Sequence, residues 1–166
     1  MKTYFTSDLH FCHEKIISYC SRPFQNSKEM DFKLIENWNS IVEENDIVYI
    51  LGDIFFGDNW KNLTNKLNRM KGTKHLILGN HDRLNPWDYI EAGFTSLHTS
   101  MTYEDFILIH DPSAATGPKY LKWIHGHIHN MALNIAPNCF NVSVEMHGYK
   151  PVNFEIIREY FKNIDI

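Results

Sequence analysis

Long apolar runs are missing from this chain of 166 residues. No stretch reaches the roughly 20 consecutive apolar residues that cross a bilayer, so no membrane-spanning helix and no membrane partner are expected. The opening residues, Met1 to Asp8, meet a carboxylate before any apolar signal-peptide core forms, and the expected location is cytoplasmic. Cysteine is scarce. Cys12, Cys20 and Cys139 are odd in number, and their spacing fits neither a zinc ribbon nor a Cys-x-x-Cys pair, so reduced thiols are expected and disulfides are not. Basic residues are also few: 16 Lys and Arg stand against 20 Asp and Glu, a formal charge of -4. Holding long nucleic acid takes many cationic contacts to phosphates, so no such partner is expected, although a small nucleotide remains open. Internal repeats, low-complexity tracts and linkers are lacking too, which leaves a single domain spanning 1–166 as the expectation.

What is present in excess is histidine, with ten residues. It is both the side chain that titrates near neutral pH and the commonest metal ligand. A chain of this length buries roughly two thirds of its unfolded surface, so it needs no metal merely to fold, and any metal here would serve chemistry.

The pattern of apolar residues predicts an α/β chain. Lys2 to Thr6 is β-prone, and Glu14 to Cys20 has the length of a short helix, stopped ahead of Pro23. From Ser27, read as an N-cap, Met30, Leu34, Ile35, Trp38, Ile41 and Val42 recur at helical spacing and predict a helix running to near Asn45. Asp46 to Leu51 is a continuous apolar run, as in a parallel strand covered on both faces. A helix from Trp60 to Met70 and a strand from Lys74 to Leu78 complete a right-handed parallel crossover. A short helix over Pro86 to Ala92 ends at Gly93, and strands Phe94 to His98 and Tyr103 to Ile109 are read as joined by a tight connection. Lys122 to Ile128 and Asn138 to Val144 are further strands, and Val152 to Asn163 predicts a closing helix.

The apolar runs stop at residues able to bind metal: Asp8 and His10, Asp53, Asn80 and His81, His110, and His127 and His129. In an open sheet with parallel strands, ligands bind at the carboxyl ends, so these distant residues can meet on one rim. Asp8 and His10, like His127 and His129, are two apart, and in extended chain such residues share a side. Gly52, Gly79 and Gly126 sit beside them, where a small residue lets the backbone turn over the strand end. Alone, Asp53 or Gly79-Asn80 reads as an ordinary turn; jointly, accident is a poor explanation. Carboxylates, imidazoles and an amide oxygen without cysteine suit Mn, Fe, Zn or Co, and more than four ligands imply two ions. Two ions about 4 Å apart clamp a displacement at phosphorus, which predicts phosphoester hydrolysis.

Asp8-Leu9-His10, Gly52-Asp53-Ile54-Phe55, Gly79-Asn80-His81-Asp82, His110 and Gly126-His127-Ile128-His129 resemble, in order and across most of the chain, the motifs of the calcineurin-like metallophosphoesterases. The segments FTSDLHFCHEKII and SRPF are similar to its short bacterial and phage members. The resemblance implies a metallophosphoesterase-like four-layer sandwich, two mixed β-sheets flanked by helices. It implies that Asp8, His10 and His129 hold one ion, that Asn80, His110 and His127 hold the other, and that Asp53 bridges them. Manganese is the first expectation for both ions, with Fe, Zn, Co or Ni able to replace it. A hydroxide bridging them would attack phosphorus while His81 assists the leaving group and Asp82 orients His81. Cys12 stands where relatives of this type carry glycine, and Leu9 replaces a commoner small or polar residue, its side chain expected to point away from the ions.

Arg22 and Arg83, outside that set, are candidates for binding substrate, because a guanidinium offers a planar fork to phosphate, and Asn80 is a substrate-binding candidate as well as a metal ligand. Phe11, Phe55, Phe56 and Trp87 lie near the motif loops, where a ring can stack on a nucleobase or pack in the core. His75 and His98 read as ordinary packed or surface residues, His125 as structural, and His13 and His147 as loop residues within reach of the rim. The expected activity is that of a phosphodiesterase on a small, nucleotide-like phosphoester. A phosphomonoesterase or nuclease with the same centre is the alternative, and a non-catalytic interaction scaffold of the same fold is the alternative of another class. Oligomeric state is not legible.

Overall fold

Strand β1 (Thr3–Thr6) sends Tyr4 into one apolar cluster and Phe5 into another. In β2 (Ile47–Ile50), Val48 and Ile50 join Tyr4 while Tyr49 joins Phe5. A strand buried on both faces lies between two layers, which is why its sequence reads as an unbroken apolar run. The structure, a computed structural model, describes residues 1–57, 59–132 and 135–164.

Two mixed sheets result. In the first, β3 (Thr73–Ile77) and β4 (Ser96–His98) continue parallel to β2, and β9 (Val152–Asn153) closes antiparallel to β1, in the order β4-β3-β2-β1-β9. The second runs β5 (Met101–Tyr103), β6 (Phe106–Leu108), β7 (Lys122–His125) and β8 (Cys139–Asn141), antiparallel at its first pair and parallel after it. Helices α1 (Glu14–Tyr19), α2 (Ser27–Asn39), α3 (Trp60–Leu67) and α4 (Pro86–Ala92) bury Ile16, Trp38, Leu63 and Tyr89 against the Tyr4 side of the first sheet. Between the sheets, Phe5, Leu51 and Ile77 meet Phe106, Leu108 and Ile124, and α5 (Phe154–Lys162) adds Phe154, Ile157 and Phe161. On the far side of the second sheet, Ile109, Trp123 and Cys139 pack under Ala115, Leu121 and Ala136. Among the described residues, no helix is long and apolar enough to cross a membrane.

Several boundaries differ from the sequence expectation, each for a local reason. Helix α2 is capped by Asn26, not Ser27: the Asn26 side chain accepts the Glu29 N–H at 3.0 Å. It ends at Asn39, short of Asn45, where the Ser40 hydroxyl takes the Asn37 carbonyl at 2.6 Å and competes with the helical pattern. Ile41 and Val42 still reach the core from the turn that follows. The segment Tyr103 to Ile109 is not one strand. Glu104 adopts a left-handed φ of 52° in a two-residue turn, so Met101–Tyr103 pairs with Phe106–Leu108 as a hairpin. Its expected neighbour, Phe94 to His98, belongs to the other sheet, where β4 lies parallel to β3. Val152 and Asn153 form β9, and Asn153 then caps α5 by accepting the Glu155 N–H at 2.9 Å.

Candidate metal centre

Every residue expected to hold metal lies just past a strand end, on the loops after β1, β2, β3, β6 and β7. The local conformation is not the extended one that the two-residue spacing suggests. Asp8, His10, Asp53, His127 and His129 all take positive φ, between 48° and 72°. Non-glycine residues avoid this region at a cost of order 1–3 kcal/mol each, so the surroundings must enforce it. They do: Asp8 N–H donates to the Gly52 carbonyl at 3.0 Å and His10 N–H to the Asp53 carbonyl at 2.9 Å, lacing the first two loops together. At Gly79, a Cβ would strike Asp53 Oδ1, and at Gly126 it would strike the Ser7 hydroxyl, so loops this close admit no side chain there.

Two groups of ligand atoms form around one shared carboxylate. Asp8, His10 and His129 make the first, with His10 Nε2 and His129 Nε2 at 3.9 and 3.7 Å from Asp8 Oδ1. Asp53, His110 and His127 make the second, and Asn80 Oδ1 lies 2.9 Å from His110 Nε2 and 3.0 Å from His127 Nδ1. Asp53 Oδ2 is 3.5 Å from the Nε2 of both His10 and His110. Its other oxygen is occupied by the His81 N–H at 2.8 Å. Asp8 divides its oxygens in the same way: Oδ2 accepts from His127 N–H and Ser143 Oγ, while Oδ1 is buried with no hydrogen-bond partner. His10 Nε2 is likewise buried and unpartnered. Lone pairs left unpaired in the interior are costly, and their convergence fits divalent ions at this rim.

Supporting contacts turn the rings. His110 Nδ1 lies 2.7 Å from the Leu51 carbonyl, which fixes Nδ1 as the donor and leaves Nε2 for a metal. His129 Nδ1 lies 2.9 Å from Glu145 Oε1, which turns its Nε2 toward Asp8. Glu145, on a 3-10 turn at Val144–His147, escaped the sequence reading because no motif surrounds it. Cys20, His129 and Glu145 form a third close group, but the buried Arg22 guanidinium pairs with Glu145 at 2.6 Å and makes that side unsuited to a cation.

Two expectations need correction. Arg22 does not face substrate: it is buried and donates to Glu145 Oε1 and to the carbonyls of Asp8 and Leu9 at 2.6 and 3.0 Å, so its fork is spent inside the protein. Asp82 does not orient the His81 ring: its carboxylate accepts the N–H groups of Asp53, Ile54 and Gly79 at 2.8–3.1 Å and holds two loops together. His81 Nδ1 is buried without a partner. Arg83 is exposed and makes no ion pair among the described residues. Leu9 points into the core, as do Phe11 and Phe55. His75 and His98 both meet the Ser96 hydroxyl, His125 is fully buried, and His147 Nε2 lies 2.7 Å from the Asn141 carbonyl.

Burial and charge split the titrating groups. Burial drives His10 down to about 2, outweighing the pull of Asp53. Burial raises Asp53, but His110, the His81 N–H and His10 prevail and hold it at about 2. Glu145 also sits at about 2, because His129 and Arg22 overcome its burial. Asp82 goes the other way: burial lifts it to about 7, against its N–H donors.

The calcineurin-like phosphoesterase family matches residues 1–162, and the chain belongs to it. The uncharacterized protein MJ1445 of Methanocaldococcus jannaschii is 39% identical over 166 residues, covering 94% of this chain and 89% of its own length. The gene 66 protein of Mycobacterium phage D29 is 30% identical, covering 76% of this chain and 78% of its own. The crystal structure of the protein of unknown function AQ665 from Aquifex aeolicus superposes with a TM-score of 0.74 at 25% identity, over 95% of this chain and 98% of that one. Fold and metal-capable residues together define a calcineurin-like metallophosphoesterase with a candidate binuclear centre.

Proposed function

We propose that the protein is a binuclear metal-dependent phosphodiesterase acting on a small, nucleotide-like phosphoester. The observation that carries this reading is the shared carboxylate, whose Oδ2 faces both ligand groups at 3.5 Å. Asp8, His10 and His129 would hold one divalent ion and Asn80, His110 and His127 the other, with Asp53 between them and manganese the first choice for both. Such a pair supplies hydroxide at neutral pH and neutralises charge on the phosphoryl oxygens.

The chain's own groups do the rest. His81 borders an open cleft at the rim, where its ring can donate to the phosphoryl or leaving oxygen. Asn80, tied to both His110 and His127, keeps its amide at the centre of the second group. Asp82 keeps Gly79, Asp53 and Ile54 in register and so positions the loop bearing Asn80 and His81. A diester is favoured over a monoester because two clefts adjoin the centre. One, of about 520 Å³, includes Phe56, His81 and Arg83; the other, of about 640 Å³, includes Asn80, His110, Ile109 and Trp123. A diester carries a substituent for each.

The test is Mn2+-supplemented hydrolysis of bis(p-nitrophenyl) phosphate and p-nitrophenyl phosphate by wild type and Asp53→Asn. The diester should be preferred, and the substitution should lower turnover roughly 100-fold or more, since it removes a charge shared by both groups. A monoester preference would move the substrate class, and cleavage of oligonucleotides would favour a nuclease. Metal uptake without turnover of any phosphoester would favour a scaffold.

A further inference from the structure

The cleft beside His81 contains more than a phosphate needs. Its lining includes Phe56, His81, Arg83, Asn85 and Asp88, and its volume of about 520 Å³ falls in the range of small-molecule sites. Phe56 is the unusual member. Its neighbours Phe11 and Phe55 are 0% and 3% exposed, whereas Phe56 is 44% exposed. The ring is nonetheless held in place: it stacks on His13 with centroids 3.9 Å apart and planes 13° from parallel. His13 Nδ1 lies 3.4 Å from His10 Nδ1, and the Phe56 N–H donates to the Phe11 carbonyl at 2.9 Å. A flat apolar surface is therefore fixed relative to the metal-capable residues, with much of its area left in water.

We propose that this cleft is the subsite for a nucleobase carried by the phosphoester, with Phe56 as the stacking surface and Arg83 and Asp88 as donor and acceptor for the polar edge of the base or its sugar. The inference rests on the phosphodiesterase reading and specifies which part of the substrate enters which cleft. A lipid chain would leave the polar groups of Arg83, Asn85 and Asp88 unmatched, and a simple alkyl ester would leave the Phe56 ring unused. A nucleobase matches both, because every base offers a π face and hydrogen-bonding edges. Arg83 is free to serve, having no ion pair among the described residues, and a guanidinium can also lie flat on a stacked base.

The experiment compares affinities of the Mn2+-loaded protein for adenosine 5′-monophosphate, phenyl phosphate and methyl phosphate by calorimetry, in wild type and Phe56→Ala. Wild type should bind the nucleotide about tenfold more tightly than methyl phosphate, in keeping with one stacked base, and phenyl phosphate should fall between. In Phe56→Ala the ratio of nucleotide to methyl phosphate affinity should collapse toward one, and Arg83→Ala should lower it as well. Hydrolysis of bis(p-nitrophenyl) phosphate is followed in parallel. Equal affinities for nucleotide and methyl phosphate with diester turnover intact overturn the subsite and leave the phosphodiesterase standing. An advantage for phenyl phosphate equal to that of the nucleotide overturns the assignment to a base. No turnover and no binding of any of these compounds overturns both readings.

Discussion

Two of the candidate ligand histidines, His110 and His129, carry protons that a bound metal would have to displace. Burial works against charge on His110, but Asp53, Asp8 and the Leu51 carbonyl hold it up at about 9. Burial opposes His129 as well, and Cys20, Glu145 and Asp8 hold it at about 10. At pH 7 both rings are then protonated in the metal-free protein, and binding must expel a proton from each. Because both values are raised, the cost of that loss shrinks as pH climbs. Mn2+ affinity should strengthen from pH 6 toward pH 9, by up to about tenfold per pH unit for each proton released. Titration across that range in buffers of differing ionisation enthalpy reads both affinity and proton count; a flat profile would contradict the protonation states. The candidate ligands were legible in sequence because they follow apolar runs, and three of them, Asp53, Asn80 and His127, come directly after a glycine. Arg22 was not, since a loop arginine looks the same whether it awaits a substrate or neutralises a carboxylate 123 positions away.

Among elements, that same pair is a joint. Arg22 follows α1, and its guanidinium binds the loop after β1 through two carbonyls and the 3-10 turn after β8 through Glu145. Both side chains are almost fully buried, so removing one partner strands a charge in the interior. Glu145→Ala should lose about 3–5 kcal/mol of stability, measured by urea unfolding of the metal-free protein. A loss under about 1 kcal/mol would mean that water reaches Arg22 easily. Glu145 was invisible beforehand because its partners, His129 and Arg22, come from distant loops. The two-sided strand β2 was readable, since burial on both faces writes itself as the continuous apolar sequence Ile47-Val48-Tyr49-Ile50, whereas β3 carries Lys74 and His75 and shows its apolar character only at Leu76 and Ile77. The three-residue strands of the second sheet were harder: their hairpin depends on a left-handed residue, Glu104, of a type that does not announce a turn.

Over the whole molecule, each ligand group draws on both sheets. Asp8, His10, Asp53 and Asn80 follow strands of the first, and His110, His127 and His129 follow strands of the second. An ion in either group would therefore bind the folded chain and have no comparable site in the unfolded one. At a hundredfold excess over Kd, one such site adds about 2.7 kcal/mol. For a domain of this size that raises Tm by about 5–10 °C, and a chelator should reverse it. Scanning calorimetry with and without Mn2+ measures the shift, and none at saturating metal would deny both sites.

Because neither group is complete until the sheets have docked, the ions would act as a latch closed last. Their effect should fall on the lifetime of the folded molecule rather than on the speed of its formation. Excess Mn2+ is expected to slow unfolding while leaving refolding almost unchanged, so that metal supply governs how long each copy persists.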